Sequence, residues 1–313
     1  MEIIKWLLEG DPVIQYQTQR DLLNSSKETL NAIQLESLKR GWVKDYLDQQ
    51  LKNGHWGFRF YQPKWTSTHY TLLDLCLFNA PSTLGIKKAI ALILKHEIGP
   101  DGGVNPSRDI GESDVCINGM FLNYACYFHV KADRIKGIVD YIIKQKMTDG
   151  GFNCRLNRGG ANHSSVHSTI CMLEGIERYR QEGYTYRLKE LTLMQRSSEE
   201  FLLEHRLFKS DKTGEVIHKN MTVFAYPFRW KYNVLRALDY FRWAERPYDE
   251  RMSDGIELIL KKQKKDGKWP VQAKHPGRQH IVLEPSKQPS RMVTLMALRV
   301  LKTYNKQSIK PTD

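Results

Sequence analysis

The sequence predicts an all-α fold, a closed ring of about five to six helical hairpins built from the whole chain, 1–313. Three observations predict it: an internal repeat, an alternation of two kinds of helix, and loops that collect most of the Gly and Pro while strand signals stay few. The repeat is an amphipathic helix ending in Gln or Lys, a polar Gly-containing turn, an aromatic or apolar residue, a loop, and a more apolar helix. It reads YLDQQLKNGHWGF at 46–58, ALILKHEIGPDGGVNP at 91–106, YIIKQKMTDGGFNC at 141–154 and LILKKQKKDGKWP at 258–270, with a degenerate copy, LLEHRLFKSDKTGEVIH, at 202–218. The apolar turn residues Trp56, Val104, Phe152, Val216 and Trp269 are separated by 48, 48, 64 and 53 positions. Recurrence at such a period is the mark of stacked supersecondary units.

The elements follow in order. Residues 1–40 differ from the rest: Trp6, Leu7, Val13, Ile14, Leu22 and Leu23 suggest two short helices broken at Gly10-Asp11-Pro12, an extra hairpin or arm on a ring formed by 41–305. In the third unit, Ile135, Ile138, Val139, Ile142 and Ile143 form one apolar stripe opposite charges, so that helix shows one face to solvent. Asp-Gly turns end such helices because Gly takes the left-handed conformation without a Cβ clash. The segment VCINGMFLNYACYF at 115–128 is apolar nearly all round, as a helix buried on most sides must be. One helix of each hairpin therefore faces water and its partner faces inward. A linear solenoid is the competing arrangement; the turn signature favours the ring.

Composition narrows the class. Of the residues, 41% are hydrophobic and none of the apolar windows approaches the ~18–20 residues of a membrane span. Pro12 interrupts the N-terminus before a secretory apolar region could form. Five cysteines without framework spacing suggest free thiols and a cytoplasmic location. The net charge of +13 peaks in KKQKKDGK at 261–268, at a helix end where the dipole favours cations, and no nucleic-acid motif accompanies it, so no nucleic-acid partner is expected. Phosphate-binding loops and a Gly-x-Ser-x-Gly elbow are absent from the sequence.

The Gln, polar Gly turn, aromatic pattern resembles the repeat shared by terpene cyclases and protein prenyltransferase β subunits, over roughly residues 40–305. That resemblance implies an α/α toroid with its site in the central cavity. GGVNPSRDIGESDVCINGM at 102–120 is similar to the β-subunit stretch carrying an Asp-x-Cys zinc pair, matched by Asp114 and Cys116, with Arg108 matching a diphosphate-binding Arg. In GGFNCRLNRGGANHSSVHSTICMLEGI at 150–176, His167 matches the third zinc ligand. Gly111 stands where the family has a diphosphate-binding Lys, and Ile117 where it has a Tyr beside the zinc, which points away from a conventional protein farnesyltransferase. Such β subunits work with a partner subunit, of which a single chain carries no trace. An isoprenoid, thiol or peptide ligand is implied.

Coordination chemistry supports the same set. Inner helices of adjacent hairpins lie about 8–10 Å apart, so Asp114, Cys116 and His167 could converge at the mouth of the ring. Three ligands with an open fourth position is the pattern of a catalytic zinc, able to hold a thiolate or a hydroxide. His163, His167 and Cys171, at i, i+4 and i+8, form a second set on one helix face, with His163 as an extra ligand. The competing reading has Asp114 as a helix N-cap and both cysteines as core residues. The acidic Asp-x-Asp-Asp cluster of squalene-type cyclases is missing; Asp109, Glu112 and Asp114 come nearest, with the wrong spacing. Trp65, Tyr124 and Trp230 are candidate cavity walls. Arg278 and Arg291, with Arg229, Arg236 and His280, are candidate anion contacts, unless Glu284 pairs with Arg278 or Arg291. The alternative to a transferase is a metal-free toroid that binds a peptide, lipid or protein partner.

Overall fold

A computed structural model describes residues 2–107, 109–154 and 159–308, with backbone alone at 305–308. Among the described residues there are thirteen α-helices and no strand beyond isolated bridges. They are α1 Glu2–Leu8, α2 Pro12–Asp21, α3 Lys27–Glu36, α4 Trp42–Asp48, α5 Thr68–Leu77, α6 Leu84–His96 and α7 Val115–Tyr127. The series continues with α8 Lys136–Lys144, α9 Val166–Gln181, α10 Leu188–Glu204, α11 Val234–Trp243, α12 Ser253–Lys262 and α13 Arg291–Ser308.

The two kinds of helix occupy two layers. In α7, Val115 and every residue from Ile117 to Cys126 are buried, whereas α8 buries only Ile138, Val139, Tyr141 and Ile142. The inner helices α5, α7 and α9 pack side by side, as do α11, α13 and α2. The Glu174–Arg236 ion pair (2.7 Å) ties α9 to α11, and Gln17 Nε2 donates to Leu77 O (2.9 Å) where α2 meets α5. Arg299 on α13 reaches Gln17 Oε1 (2.9 Å) and Asp21 Oδ2 (2.8 Å) on α2. The N-terminal segment thus supplies the sixth inner helix. The result is an α/α toroid.

The repeated turn has a physical reason. After each outer helix, the apolar turn residue is buried with its backbone N–H and C=O turned inward, where both need partners. A polar side chain on the following inner helix supplies them. Thr68 Oγ1 accepts from Trp56 N and donates to its carbonyl (3.0 and 3.2 Å), Thr169 does the same for Phe152 (3.0 and 3.4 Å), and Thr294 for Trp269 (3.0 and 3.4 Å). The Asn118 amide does it for Val104 (2.7 and 3.0 Å). Trp56 and Trp269 also donate Nε1 to the outer-helix carbonyls of Tyr46 and Ile259, each at 2.7 Å. The degenerate copy departs from this: Val216 is 43% exposed and does not fill the position that its neighbours in the series fill.

Two inner helices approach unusually closely. A Cβ on Gly119 of α7 would lie 2.5 Å from Cys171 O, and one on Gly175 of α9 would lie 2.4 Å from Gly119 O. The absence of side chains lets the backbones touch and sets the spacing of everything carried on the first turns of α7 and α9.

Candidate functional site

A cavity of about 640 Å³ opens at the N-terminal ends of α7 and α9, within the range of sites that enclose small molecules. Asp114, Cys116, His163, His167 and Trp230 all line it, so these expected site residues meet on one surface. Tyr61, Phe201, Ile217 and Met221 contribute apolar wall, and Lys64 sits at the rim with its ammonium 5.0 Å from the Trp65 ring and 5.6 Å from the Trp230 ring.

The turn carboxylates position the loops that enter the site. Asp101 accepts from the N–H and hydroxyl of Ser113 (2.7 Å each), just before α7; Asp149 does the same for Ser164, with 2.6 Å to its N–H, just before α9. Asp114 is the residue before α7 but makes no side-chain cap.

Lining one cavity is not the same as holding one ion. Among the described residues, no three His, Cys, Asp or Glu side chains converge to hold a metal. The expected Asp114, Cys116 and His167 triad is not assembled in this arrangement. His167 uses Nδ1 to accept the Tyr232 N–H (2.8 Å) and stands edge-on to Trp230. His163 lies in the loop before α9 and is exposed, so the expected His163, His167, Cys171 helix face does not form. Cys171 points into the core, donating to Trp230 O at 3.5 Å.

The pair that does assemble is Cys116 and Cys154, the second of which the sequence reading missed. Cys154 Sγ accepts from the Cys116 backbone N–H in the first turn of α7 (3.1 Å) and from Ser168 Oγ in the first turn of α9 (3.2 Å). Two helix N-termini, each with unspent N–H groups and a positive dipole end, thus face one sulfur. Cys116, beside it, and the hydrogen bond from Ser168 draw the Cys154 pKa below the usual thiol value, against the opposing effect of burial. The Cys116 thiol is held well above it by the neighbouring Cys154 and by burial. The available signal was positional: the third repeat copy alone places a thiol two residues past its buried turn residue, Phe152.

Other expected site residues fall elsewhere. Tyr124 is fully buried, its hydroxyl 3.3 Å from His69 Nδ1, and Trp65 donates Nε1 to Pro276 O (2.6 Å); neither lines the cavity. Arg278 is exposed, and Arg291 donates to Trp6 O (3.0 Å) and lies over its ring, fastening α1. Glu284 accepts from the Met292 N–H (2.8 Å) at the start of α13. Arg229 pairs with Asp74 in the core. Arg108 lies outside the described residues.

Burial also marks the histidines of this end of the ring. It depresses His69 to about 3 and His167, His275 and His280 to about 4. Each folded pKa is below the unfolded value near 6.5, so these groups support folding above about pH 6.5 and withdraw that support as the pH falls toward 4. The melting temperature should therefore drop steadily between pH 7 and pH 4; a flat profile over that interval would contradict the assignment of one buried and three half-buried neutral imidazoles.

No protein-family model and no curated protein matches the sequence. Solved structures do match in fold. They include a glycosyl hydrolase family 88 protein from Bacteroides vulgatus, 10% identical over 98% of each chain with a TM-score of 0.55. A protein from Actinoplanes is 12% identical over 93% of this chain and 89% of its own, with a TM-score of 0.49. The type II terpene cyclase MstE from Scytonema, in its apo form, is 11% identical over 96% and 90%, with a TM-score of 0.47. Of these three only the glycosyl hydrolase family 88 protein exceeds a TM-score of 0.5, and at 10% identity its likeness is one of fold alone. Among the described residues no helix is long and apolar enough to cross a membrane.

Proposed function

We propose that this chain is a transferase-like toroid that draws an apolar small molecule, an isoprenoid carrying an anionic leaving group, into the cavity and reacts it at Cys154. The observation that carries this reading is the sulfur of Cys154 held by donors from two helix N-termini at the wall of an otherwise largely apolar cavity. A thiolate there can give its electron pair to an electrophilic carbon while the leaving group departs with the electrons of the broken bond. Phe201, Ile217, Met221 and Trp230 suit a hydrocarbon chain, and Lys64 offers positive charge to an anionic leaving group. The similarity of 102–120 and 150–176 to prenyltransferase β subunits supports the same substrate class.

Iodoacetamide labelling near pH 7, mapped by mass spectrometry, tests it. Cys154 should react first, ahead of the buried Cys76, Cys126 and Cys171, and Ser168→Ala should slow it, because one of the donors to the sulfur is lost. Labelling of Cys154 no faster than that of Cys126 would end the nucleophile reading. A second reading, zinc held by the thiols, is favoured by the adjacency of Cys116 and Cys154 and by the charge of Asp114 acting on both. It calls for about one zinc per chain, lost in Cys116→Ala.

A further inference from the structure

A second, smaller cavity of about 130 Å³ lies inside the ring toward the C-terminal ends of α5, α9 and α11. Its charged lining is Arg20, Arg178, Arg236, Arg242 and Arg299 against Glu174 and Asp239. Asp21 and Glu182 add two carboxylates from behind, through Arg20, Arg299 and Arg178, so five positive charges face four negative ones. The compensation is also uneven. Arg236 and Arg299 are fully engaged, at 2.7 Å to Glu174 and 2.8 Å to Asp21. Arg242 gives only Nε to Asp239 (3.0 Å), and its two terminal nitrogens have no partner among the described residues. Arg178 donates Nε to Asn123 Oδ1 (3.3 Å) and reaches Glu182 at 3.4 Å through Nη1, has no partner for Nη2 among the described residues, and is held over the Tyr127 ring (5.1 Å) and the Trp243 ring (4.7 Å).

We infer that this cavity binds a small oxyanion, a phosphate or a carboxylate group, between Arg178 and Arg242. Guanidinium N–H groups that no protein acceptor takes are open to one from a ligand in place of water, and the planar fork matches two oxygens of such a group. Stacking on two rings fixes the plane of Arg178 before any ligand arrives, which lowers the ordering cost of binding. The volume admits an ion of a few heavy atoms and excludes a nucleotide. This site is separate from the thiol cavity at the other end of α9 and does not depend on the chemistry proposed there.

Calorimetry and thermal melts of the whole chain with phosphate, sulfate or acetate, against chloride at matched ionic strength, test the site. Saturable binding and a rise in Tm are expected with at least one oxyanion, and the series shows whether a tetrahedral or a carboxylate group is preferred. Arg242→Gln should weaken binding at least tenfold, and Arg178→Lys should weaken it while keeping the charge, because the fork is lost. Arg251→Gln, on the outer surface beside Glu200 and Asp249, should leave it unchanged. Arg242 carries the decision if an Arg178 variant fails to fold. Equal effects of all the anions and chloride, or undiminished binding in Arg242→Gln, would overturn the inference.

Discussion

Replacing Asp74 by alanine should cost about 3–5 kcal/mol, the usual penalty for removing one partner of a buried ion pair. Asp74 on α5 and Arg229 in the segment before α11 are 1% and 2% exposed, and Tyr46 OH donates to the same carboxylate oxygen at 3.0 Å. With the carboxylate gone, the Arg229 charge stays in a core walled by Trp65 and Tyr70, whose rings lie 5.6 and 5.8 Å from it. Against a total stability of about 5–15 kcal/mol this is a large fraction. Chemical denaturation measures it. Asp74→Leu combined with Arg229→Met should recover most of the loss, since the pair's own attraction mainly offsets its desolvation. The effect should also reach the cavity, because Arg229 precedes Trp230: in Asp74→Ala, Trp230 fluorescence should shift toward that of an exposed indole.

A Gly119→Val chain should lose about 3 kcal/mol or fail to fold, since its Cβ alone would sit 2.5 Å from Cys171 O and neither backbone can yield cheaply. Gly119→Ala is the milder form and the more informative one. If it folds, α7 and α9 must part, and the donors from Cys116 and Ser168 can no longer both reach Cys154 Sγ. Slower alkylation of Cys154 together with a lowered melting temperature is the expected pair of results. A normal rate in a destabilised Gly119→Ala chain would separate the helix contact from the site.

Much of this was legible in the residues. The turn copies at Trp56, Val104, Phe152 and Trp269 marked four hairpins through the turn itself; the polar partners that each buried turn residue takes from the next inner helix, Thr68, Asn118, Thr169 and Thr294, follow at 12, 14, 17 and 25 residues and so carry no common spacing. Inner and outer helices were separable because burial on all sides and burial on one stripe leave different patterns, as 115–128 and 135–143 show. The candidate site was partly legible: Asp114, Cys116, His163, His167 and Trp230 do share the cavity. Val216 misled because a turn copy can keep its sequence pattern while its apolar residue stays exposed.

By itself, the sequence determined that the chain is a set of helical hairpins, that Asp-Gly turns end the outer helices, and which first turns carry polar chemistry; these follow from contacts among residues near in the chain or repeated at a regular interval. Only the tertiary structure decided that α2 closes the ring through Arg299, that Cys154 and not His167 is the neighbour of Cys116, and that Arg229 belongs to Asp74 and Arg291 to Trp6. Each of those choices joins residues between 38 and 285 positions apart. No local pattern encodes such a pairing: which thiol, carboxylate or ring a side chain meets depends on the spacing of whole helices, and at the site that spacing is set by two glycines in contact.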